Sequence, residues 1–191
     1  MSLDKIDNRY RELLDYLNGP KTASHTGDKT VCYLTFESSE IQYVKQKLNE
    51  SWIEIAKHKN LQPLILSMHQ VCKSFFEQDD FRLEAGADAV EYEDDMIEVF
   101  SDLGENLKNN RAIENAILEA QEKVKATDNG ILFITDLESI HPFTRFGPIE
   151  QKIYGEIEVP IVVFYPGMKS GYALKFLEFY PEDGNYRSKH F

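Results

Sequence analysis

The chain has 191 residues, of which 42% are hydrophobic and 12% aromatic, enough to bury the core of one domain over residues 1–191. No run of 18 apolar residues is present, and the two cysteines lack the spacing of a zinc site, so we expect a cytoplasmic protein without a membrane span or structural metal. The formal net charge of −12 disfavours direct binding of nucleic acid.

Most of the acidic charge lies in one segment. Residues 77–110 carry twelve acidic side chains and two basic ones, a net charge of −10, so the rest of the chain is nearly neutral. We predict that this segment is a solvated helix-and-loop insertion within the domain. Its charge also suits it to attract a basic partner and to speed the encounter.

The chain alternates between helical and strand patterns. Apolar residues at helical spacing predict helices, and continuous β-branched and aromatic runs predict strands. In chain order, the predicted elements are a helix at 3–18, a strand at 30–36, a helix from Ile41 to Ile55, a strand at 61–68 with a short helix after it, helices near 92–107 and at about 111–126, a strand at 130–136, a helix near 146–155, a strand at 159–167 and a final, antiparallel strand at 173–180.

Strands that are apolar throughout and separated by helices are typical of a parallel sheet covered on both faces. The predicted fold is therefore an α/β three-layer sandwich with a mainly parallel central sheet. It would resemble a degenerate P-loop or Rossmann-like domain without a Walker A motif. Any ligand would bind at the carboxyl ends of the strands.

Polar residues follow the predicted strand at 130–136. Asp136 and Glu138 stand where a P-loop ATPase places its metal-binding carboxylates. A P-loop also requires the sequence G-x-x-x-x-G-K-[ST] after the first strand, because backbone N–H groups and a lysine bind the phosphates. The first strand is followed instead by ESSE at 37–40, whose carboxylates would repel phosphates. We therefore expect no nucleotide binding and no cofactor.

An enzymatic alternative stays open at this point. A metal-dependent phosphoryl-transfer enzyme or nuclease would use Asp136 and Glu138, with Glu150, on a divalent ion. The simpler role for Asp136 is to end its strand by bonding to nearby backbone N–H groups. An enzyme requires the carboxylates to converge in an open pocket, whereas an interaction protein would have Asp136 engaged by backbone or by an arginine.

The last third of the sequence carries a series of short motifs. They are Pro142-Phe143-x-Arg145 after a strand, then Pro160-x-Val-Val-Phe-Tyr165-Pro166-Gly167, then Gly171-x-Ala-Leu-Lys-Phe, and finally Asn185-Tyr186-Arg187. In this order the motifs resemble the BrxB family, an accessory component of bacteriophage-exclusion (BREX) systems. The resemblance implies a non-enzymatic protein that acts beside a PglZ-type, alkaline-phosphatase-like protein, a methyltransferase and a large ATPase.

Two of the motifs have simple structural interpretations. Pro166 and Gly167 are typical of a turn at a strand end, with the glycine supplying a positive φ. Arg145 and Arg187 carry five donors each and are predicted to bond loop carbonyls or a carboxylate such as Asp136.

The tyrosines of these motifs suggest a partner surface. Tyr165, Tyr172 and Tyr186, together with Arg187, are the residue types that anchor protein interfaces. We predict that they form an exposed patch at the strand ends, beside Asn185, that binds the PglZ-type component. Catalytic and metal-binding residues are not predicted, and the sequence leaves the oligomeric state open.

Overall fold

The computed structural model describes residues 3–19, 31–77, 93–141, 143–170, 173–177, 183–184 and 188–191. The helices in these ranges are α1 (Leu3–Asn18), α2 (Ile41–Lys47), α3 (Ile53–His58), α4 (Met68–Glu77), α5 (Glu93–Asn109), α6 (Ala112–Lys125) and α7 (Phe146–Ile153). The strands are β1 (Val31–Phe36), β2 (Gln62–Ser67), β3 (Gly130–Thr135), β4 (Ile161–Ser170), β5 (Ala173–Phe176), β6 (Asp183–Gly184) and β7 (Lys189–His190).

The strands join in one sheet whose main path has the order β2-β3-β4-β1-β7. Every neighbouring pair along this path is parallel. β4 continues beyond the parallel part, and its last four residues pair antiparallel with β5, which pairs in turn with β6. The mainly parallel sheet is confirmed, and so is the antiparallel pairing of the strand predicted at 173–180, but that strand is not the final one, since β6 and β7 follow it.

Side chains of successive strand residues enter two separate cores. Cys32 and Leu34 of β1 face α1, α2 and α3, while Tyr33 between them faces α4, α6 and α7. This alternation follows from the two-residue period of a strand, and both faces are apolar because both carry helices. The structure thus has helices, sheet and helices in three layers, as predicted.

α2 and α3 form one helix that contains a π-helical turn at Leu48–Trp52. The Trp52 ring stacks on Tyr10 of α1 with 4.3 Å between ring centroids. The Tyr10 hydroxyl donates a hydrogen bond of 2.7 Å to the Trp52 carbonyl, and the Trp52 indole N–H donates one of 2.7 Å to Asp7. The sequence predicted this helix but not its irregular turn, which the partners on α1 stabilise.

The acidic segment is described only in part. Its predicted helix near 92–107 is confirmed as α5, which packs closely on the loop before α7, since a Cβ added at Gly104 would lie 3.4 Å from the Phe143 Cα. Residues 78–92 lie outside the described ranges. None of the described helices is long and apolar enough to cross a membrane.

Candidate functional site

Polar side chains gather where β2 and β3 end. Ser67 and Thr135 are paired in the register of these strands, and Asp136 follows at once. Asp136 has φ 59° and ψ 40°, a left-handed conformation that aspartate tolerates because its short side chain bonds locally. We call Ser67, Thr135, Asp136, Glu138 and Lys45 of α2 the strand-end cluster.

The Asp136 carboxylate is fully engaged within this cluster. Oδ2 accepts hydrogen bonds from the Ser67 hydroxyl at 2.6 Å and the Thr135 hydroxyl at 2.9 Å, and Oδ1 lies 2.8 Å from Lys45 Nζ. Burial alone would favour the neutral acid, but these bonds and the lysine charge outweigh it and lower the pKa of Asp136 below its ordinary value. Asp136 is therefore ionised at neutral pH.

Lys45 joins the two carboxylates of the cluster. Its Nζ lies 2.8 Å from Asp136 Oδ1 and 2.6 Å from Glu138 Oε1. Burial works to lower the pKa of Lys45, but the hydrogen bonds and charges of Asp136 and Glu138 outweigh it and raise that pKa. The cation that holds Asp136 is thus Lys45 and not Arg145, for which the sequence predicted loop carbonyls or a carboxylate such as this one as partners.

The metal-dependent alternative required Asp136, Glu138 and Glu150 to converge. Lys45 Nζ instead occupies the space between the first two. Glu150 lies among core residues, where it accepts hydrogen bonds from the Tyr33 hydroxyl and, at 2.6 Å, from Ser188 Oγ. Within the described part of the chain, no three His, Cys, Asp or Glu side chains form a group suited to a metal ion. The proposed triad is therefore not assembled there.

In the loop after β1, a carboxylate of the protein itself bonds to a backbone N–H group. Glu40 is 5% exposed and its Oε2 accepts a 2.9 Å hydrogen bond from the Glu37 backbone N–H. In a phosphate-binding loop, such an N–H group would point at the ligand. An internal carboxylate takes that role here.

Tyr165 does not form part of an exposed patch. It is 2% exposed and packs between Tyr33 and Phe176, with ring centroids 5.7 Å and 5.3 Å away. The prediction of exposure is wrong because β4 lies inside the sheet and Tyr165 faces the core under α4, α6 and α7.

Pro166 and Gly167 lie within β4 and do not form a turn. Pro166 pairs with Phe36 and Gly167 pairs with Phe176. A Cβ at Gly167 would lie 2.2 Å from the Lys175 carbonyl oxygen. The glycine is therefore required by the close approach of β5, and the predicted turn with a positive φ is wrong.

The other predicted residues divide between described and undescribed positions. Arg145 is half-buried and extended, with φ −110°, and directly precedes α7. Tyr172, Asn185, Tyr186 and Arg187 lie outside the described residues, and their partner roles stay predictions.

A second surface was not predicted. Tyr16 of α1 is 45% exposed, and Lys189 Nζ lies 3.5 Å from the centroid of its ring and 4.9 Å from that of Phe191. We call Tyr16, Lys189 and Phe191 the aromatic patch. Backbone hydrogen bonds fix its position, since the Phe191 N–H donates to the Tyr33 carbonyl at 2.9 Å and its carbonyl accepts from the Thr35 N–H at 3.1 Å.

A local sequence pattern indicates exposure in the aromatic patch, but no such pattern indicates the strand-end cluster. Tyr16 lies off the apolar stripe of α1, and a large ring away from that stripe indicates exposure. No local pattern places Lys45 beside Asp136, because the two residues come from elements far apart in the sequence.

The comparisons with known proteins agree with the motifs of the last third. A family model described as BREX protein BrxB matches residues 64–191, which is more than half of the chain and runs from within β2 to β7. No curated protein and no solved structure matches the chain. The chain belongs to the BrxB family of BREX proteins.

Proposed function

We propose that this BREX component is a non-enzymatic accessory protein that acts by binding the PglZ-type protein of its system. Membership of the BrxB family gives it a BREX-associated accessory role in antiviral defence. The observation that carries the non-enzymatic part is the position of Lys45 between Asp136 and Glu138. The two carboxylates best placed for metal chemistry already share an ammonium group of the protein itself.

The strand-end cluster favours a structural role on energetic grounds. A divalent ion at Asp136 and Glu138 would have to displace Lys45 and leave its ammonium without these partners. The hydroxyls of Ser67 and Thr135 further fix the Asp136 carboxylate. Charged groups that satisfy one another in this way stabilise a loop and offer little to a substrate.

The aromatic patch supports partner binding. Exposed tyrosine and a cation over aromatic rings supply large contact area and directional attraction. Lys189 lies over the rings of Tyr16 and Phe191, and Lys189 and Phe191 come shortly after Tyr186 and Arg187 in the sequence, whose partner roles stay predictions. Interfaces of this kind take most of their affinity from a few such anchors.

The decisive experiment is a calorimetric titration of the PglZ-type protein from the same BREX system. We expect the wild-type chain to bind, and we expect two double variants to bind at least about tenfold more weakly, which is about 1.4 kcal/mol. The first is Tyr16→Ala with Lys189→Ala, and the second is Tyr172→Ala with Arg187→Ala. Circular dichroism confirms that each variant is folded.

Lys45→Met is the matched control, because it also removes a lysine charge but lies in the strand-end cluster. It should bind with wild-type affinity. A wild-type chain that does not bind, or double variants that bind normally, would refute the proposed surface. Phosphodiesterase activity that needs Mg²⁺ or Mn²⁺ and disappears in Asp136→Asn would instead favour the enzymatic alternative.

We also propose that the chain does not bind ATP. Glu40 accepts the Glu37 N–H in the loop after β1, and Lys45 lies between the carboxylates after β3. Both positions that a nucleotide and its metal would need are taken by the protein's own charges. Calorimetry with ATP and Mg²⁺ should give no heat of binding, and micromolar affinity would contradict this.

A further inference from the structure

A pocket opens between the end of α5, the start of α6 and α7. Its volume is about 260 Å³, and none of its lining residues belongs to the strand-end cluster or to the aromatic patch. Its apolar wall consists of Leu107, Ile113, Pro148 and Ile149. Pro148 is exposed, whereas the other three are at most 3% exposed and belong to the core under α4, α6 and α7. The pocket thus has an apolar floor in the core and a mouth at the surface.

The size of the pocket limits the ligand to about one ring. An apolar cavity of about 150 Å³ already binds benzene, and sites for drug-sized ligands measure about 300–1,000 Å³. The pocket, at about 260 Å³, lies between these two values. It therefore fits one aromatic or branched aliphatic group together with one small polar group.

The polar side of the pocket is more positive than negative. It contains two lysines, Lys108 and Lys152, and one carboxylate, that of Glu114, so its net charge is +1. The chain as a whole carries −12, and Lys108 is one of only two basic residues in the acidic segment at 77–110. A positively charged lining in so acidic a chain favours an anionic ligand at this position.

Glu114 holds one of the two ammonium groups at the pocket. Its side chain is 3% exposed, and its Oε1 lies 3.2 Å from the Nζ of Lys152, whose side chain is 54% exposed. The buried carboxylate therefore fixes the end of an exposed side chain, and Lys152 in turn offsets the charge with which Glu114 would repel an anion. An ammonium group has three donors, so Lys152 keeps two for a ligand.

Lys108 supplies a charge that the protein itself does not use. It is exposed in the last turn of α5, and among the described residues no carboxylate pairs with it. The hydroxyl of Thr144, which also lines the pocket, is a further donor. The pocket thus combines an apolar floor with donors that suit a carboxylate.

We propose that this pocket binds a small apolar carboxylate. The apolar group of the ligand packs against the apolar wall, and its carboxylate accepts hydrogen bonds from Lys108 and Lys152. Burial of the apolar group supplies the affinity, and the two ammonium groups select an anion. A free acid and the last residue of a peptide both present this chemistry. Because the pocket shares no residue with the aromatic patch, this proposal is independent of binding to the PglZ-type protein.

The test is an NMR titration of the chain with hydrocinnamate, whose ring and carboxylate match the pocket. Hydrocinnamamide, which has the same ring without the charge, is the control ligand. We expect saturable shifts of the amides at 107–114 and 144–152 with a Kd of about 1 mM for hydrocinnamate, and binding of the amide that is at least about tenfold weaker. N-acetylated Gly-Gly-Phe distinguishes the sources, since tighter binding than hydrocinnamate indicates a peptide end and weaker binding indicates a free acid.

Lys108→Met is the decisive variant, because it removes the ammonium group, keeps the apolar stem and breaks no ion pair among the described residues. It should bind hydrocinnamate about fivefold more weakly, with unchanged urea unfolding. Lys125→Met is the matched control, because it removes a lysine charge from the far end of α6, where Lys125 pairs with Glu122, and it should bind like the wild type. The absence of saturable shifts up to about 20 mM hydrocinnamate, equal binding of the amide, or unchanged affinity in Lys108→Met would overturn the proposal.

Discussion

Lys45 and Lys189 occupy contrasting surroundings at the two regions that the structure singles out. Lys45 lies between two carboxylates at 2.8 Å and 2.6 Å, next to hydroxyls that complete the strand-end cluster. Lys189 lies over two aromatic rings at 3.5 Å and 4.9 Å, beside a tyrosine that is 45% exposed. Lys45 is bonded to carboxylates of the protein itself, whereas the patch around Lys189 leaves an aromatic ring exposed to solvent.

This difference shows why a cluster of titratable residues at strand ends is not enough to identify an active site. Strand ends in α/β sheets collect polar side chains whether or not a ligand binds there. A strand end that binds a ligand differs from one that does not in whether its polar groups already bond to one another. Changes in the strand-end cluster should therefore alter stability, and changes in the aromatic patch should alter binding.

The largest expected effect is at the aromatic patch. Tyr16→Ala combined with Lys189→Ala removes one ring and the cation over both rings, so the affinity for the PglZ-type protein should fall about 30- to 100-fold, or about 2–3 kcal/mol. The free energy of unfolding should change by less than about 1 kcal/mol, because both side chains are exposed. Calorimetry measures the affinity and urea unfolding measures the stability. A loss of stability without a loss of affinity would contradict a binding role for the aromatic patch.

Lys45→Met should give the opposite result. The substitution keeps the aliphatic stem but leaves the carboxylates of Asp136 and Glu138 facing each other, which should cost about 1–2 kcal/mol of stability after allowance for partial exposure. Urea unfolding measures this. Lys57→Met is the control, since Lys57 contacts one exposed carboxylate, that of Glu54 at 2.7 Å, and its loss should cost clearly less stability than the loss of Lys45. Equal losses in the two variants would show that the cluster has no special role.

Acid should weaken the strand-end cluster. The pKa of Asp136 is lowered in the folded protein by its bonds to Lys45, Ser67 and Thr135, against the effect of burial. A lowered folded pKa gives stability that is present above the unfolded pKa and is lost as pH falls through the folded one. On acidification from pH 7, Asp136→Asn should therefore lose less stability than the wild type does. The difference between these two losses should be smaller than the stability lost in Lys45→Met. Parallel unfolding curves at all pH values would contradict this.

The smallest effect should come from the acidic segment. Asp102 and Glu105 of α5 are exposed, and Asp102→Asn with Glu105→Gln should slow association with the PglZ-type protein less than about tenfold. The dissociation rate should stay the same, because these charges act before contact. Stopped-flow or surface-binding kinetics at two salt concentrations give both rates. If the association rate of the variant depends on salt as strongly as that of the wild type, these charges do not steer the encounter.

The fold was predictable because its signals are local. The apolar runs of β1, β3 and β4 and the helical stripe of α1 identify elements without knowledge of their neighbours. The mainly parallel sheet then follows from their alternation with helices.

The errors concern contacts that depend on tertiary structure. Tyr165 looked like an exposed anchor because its sequence motif does not reveal which face of β4 it occupies. Gly167 looked like a turn residue, although the approach of β5 to within 2.2 Å of its would-be Cβ is the actual constraint. The role of Lys45 depends on the packing of α2 against the end of β3, which no local pattern encodes.

Hydrogen–deuterium exchange of the chain, free and bound to the PglZ-type protein, tests the contrast between the two regions most directly. We expect slower exchange in the complex at residues 188–191, which hold Lys189 and Phe191, and at the end of α1 around Tyr16. Exchange at 136–141, in the loop of the strand-end cluster, should not change. Protection at 136–141 with unchanged exchange at 188–191 would contradict the account, because the partner would then bind at the carboxylates that Lys45 bridges.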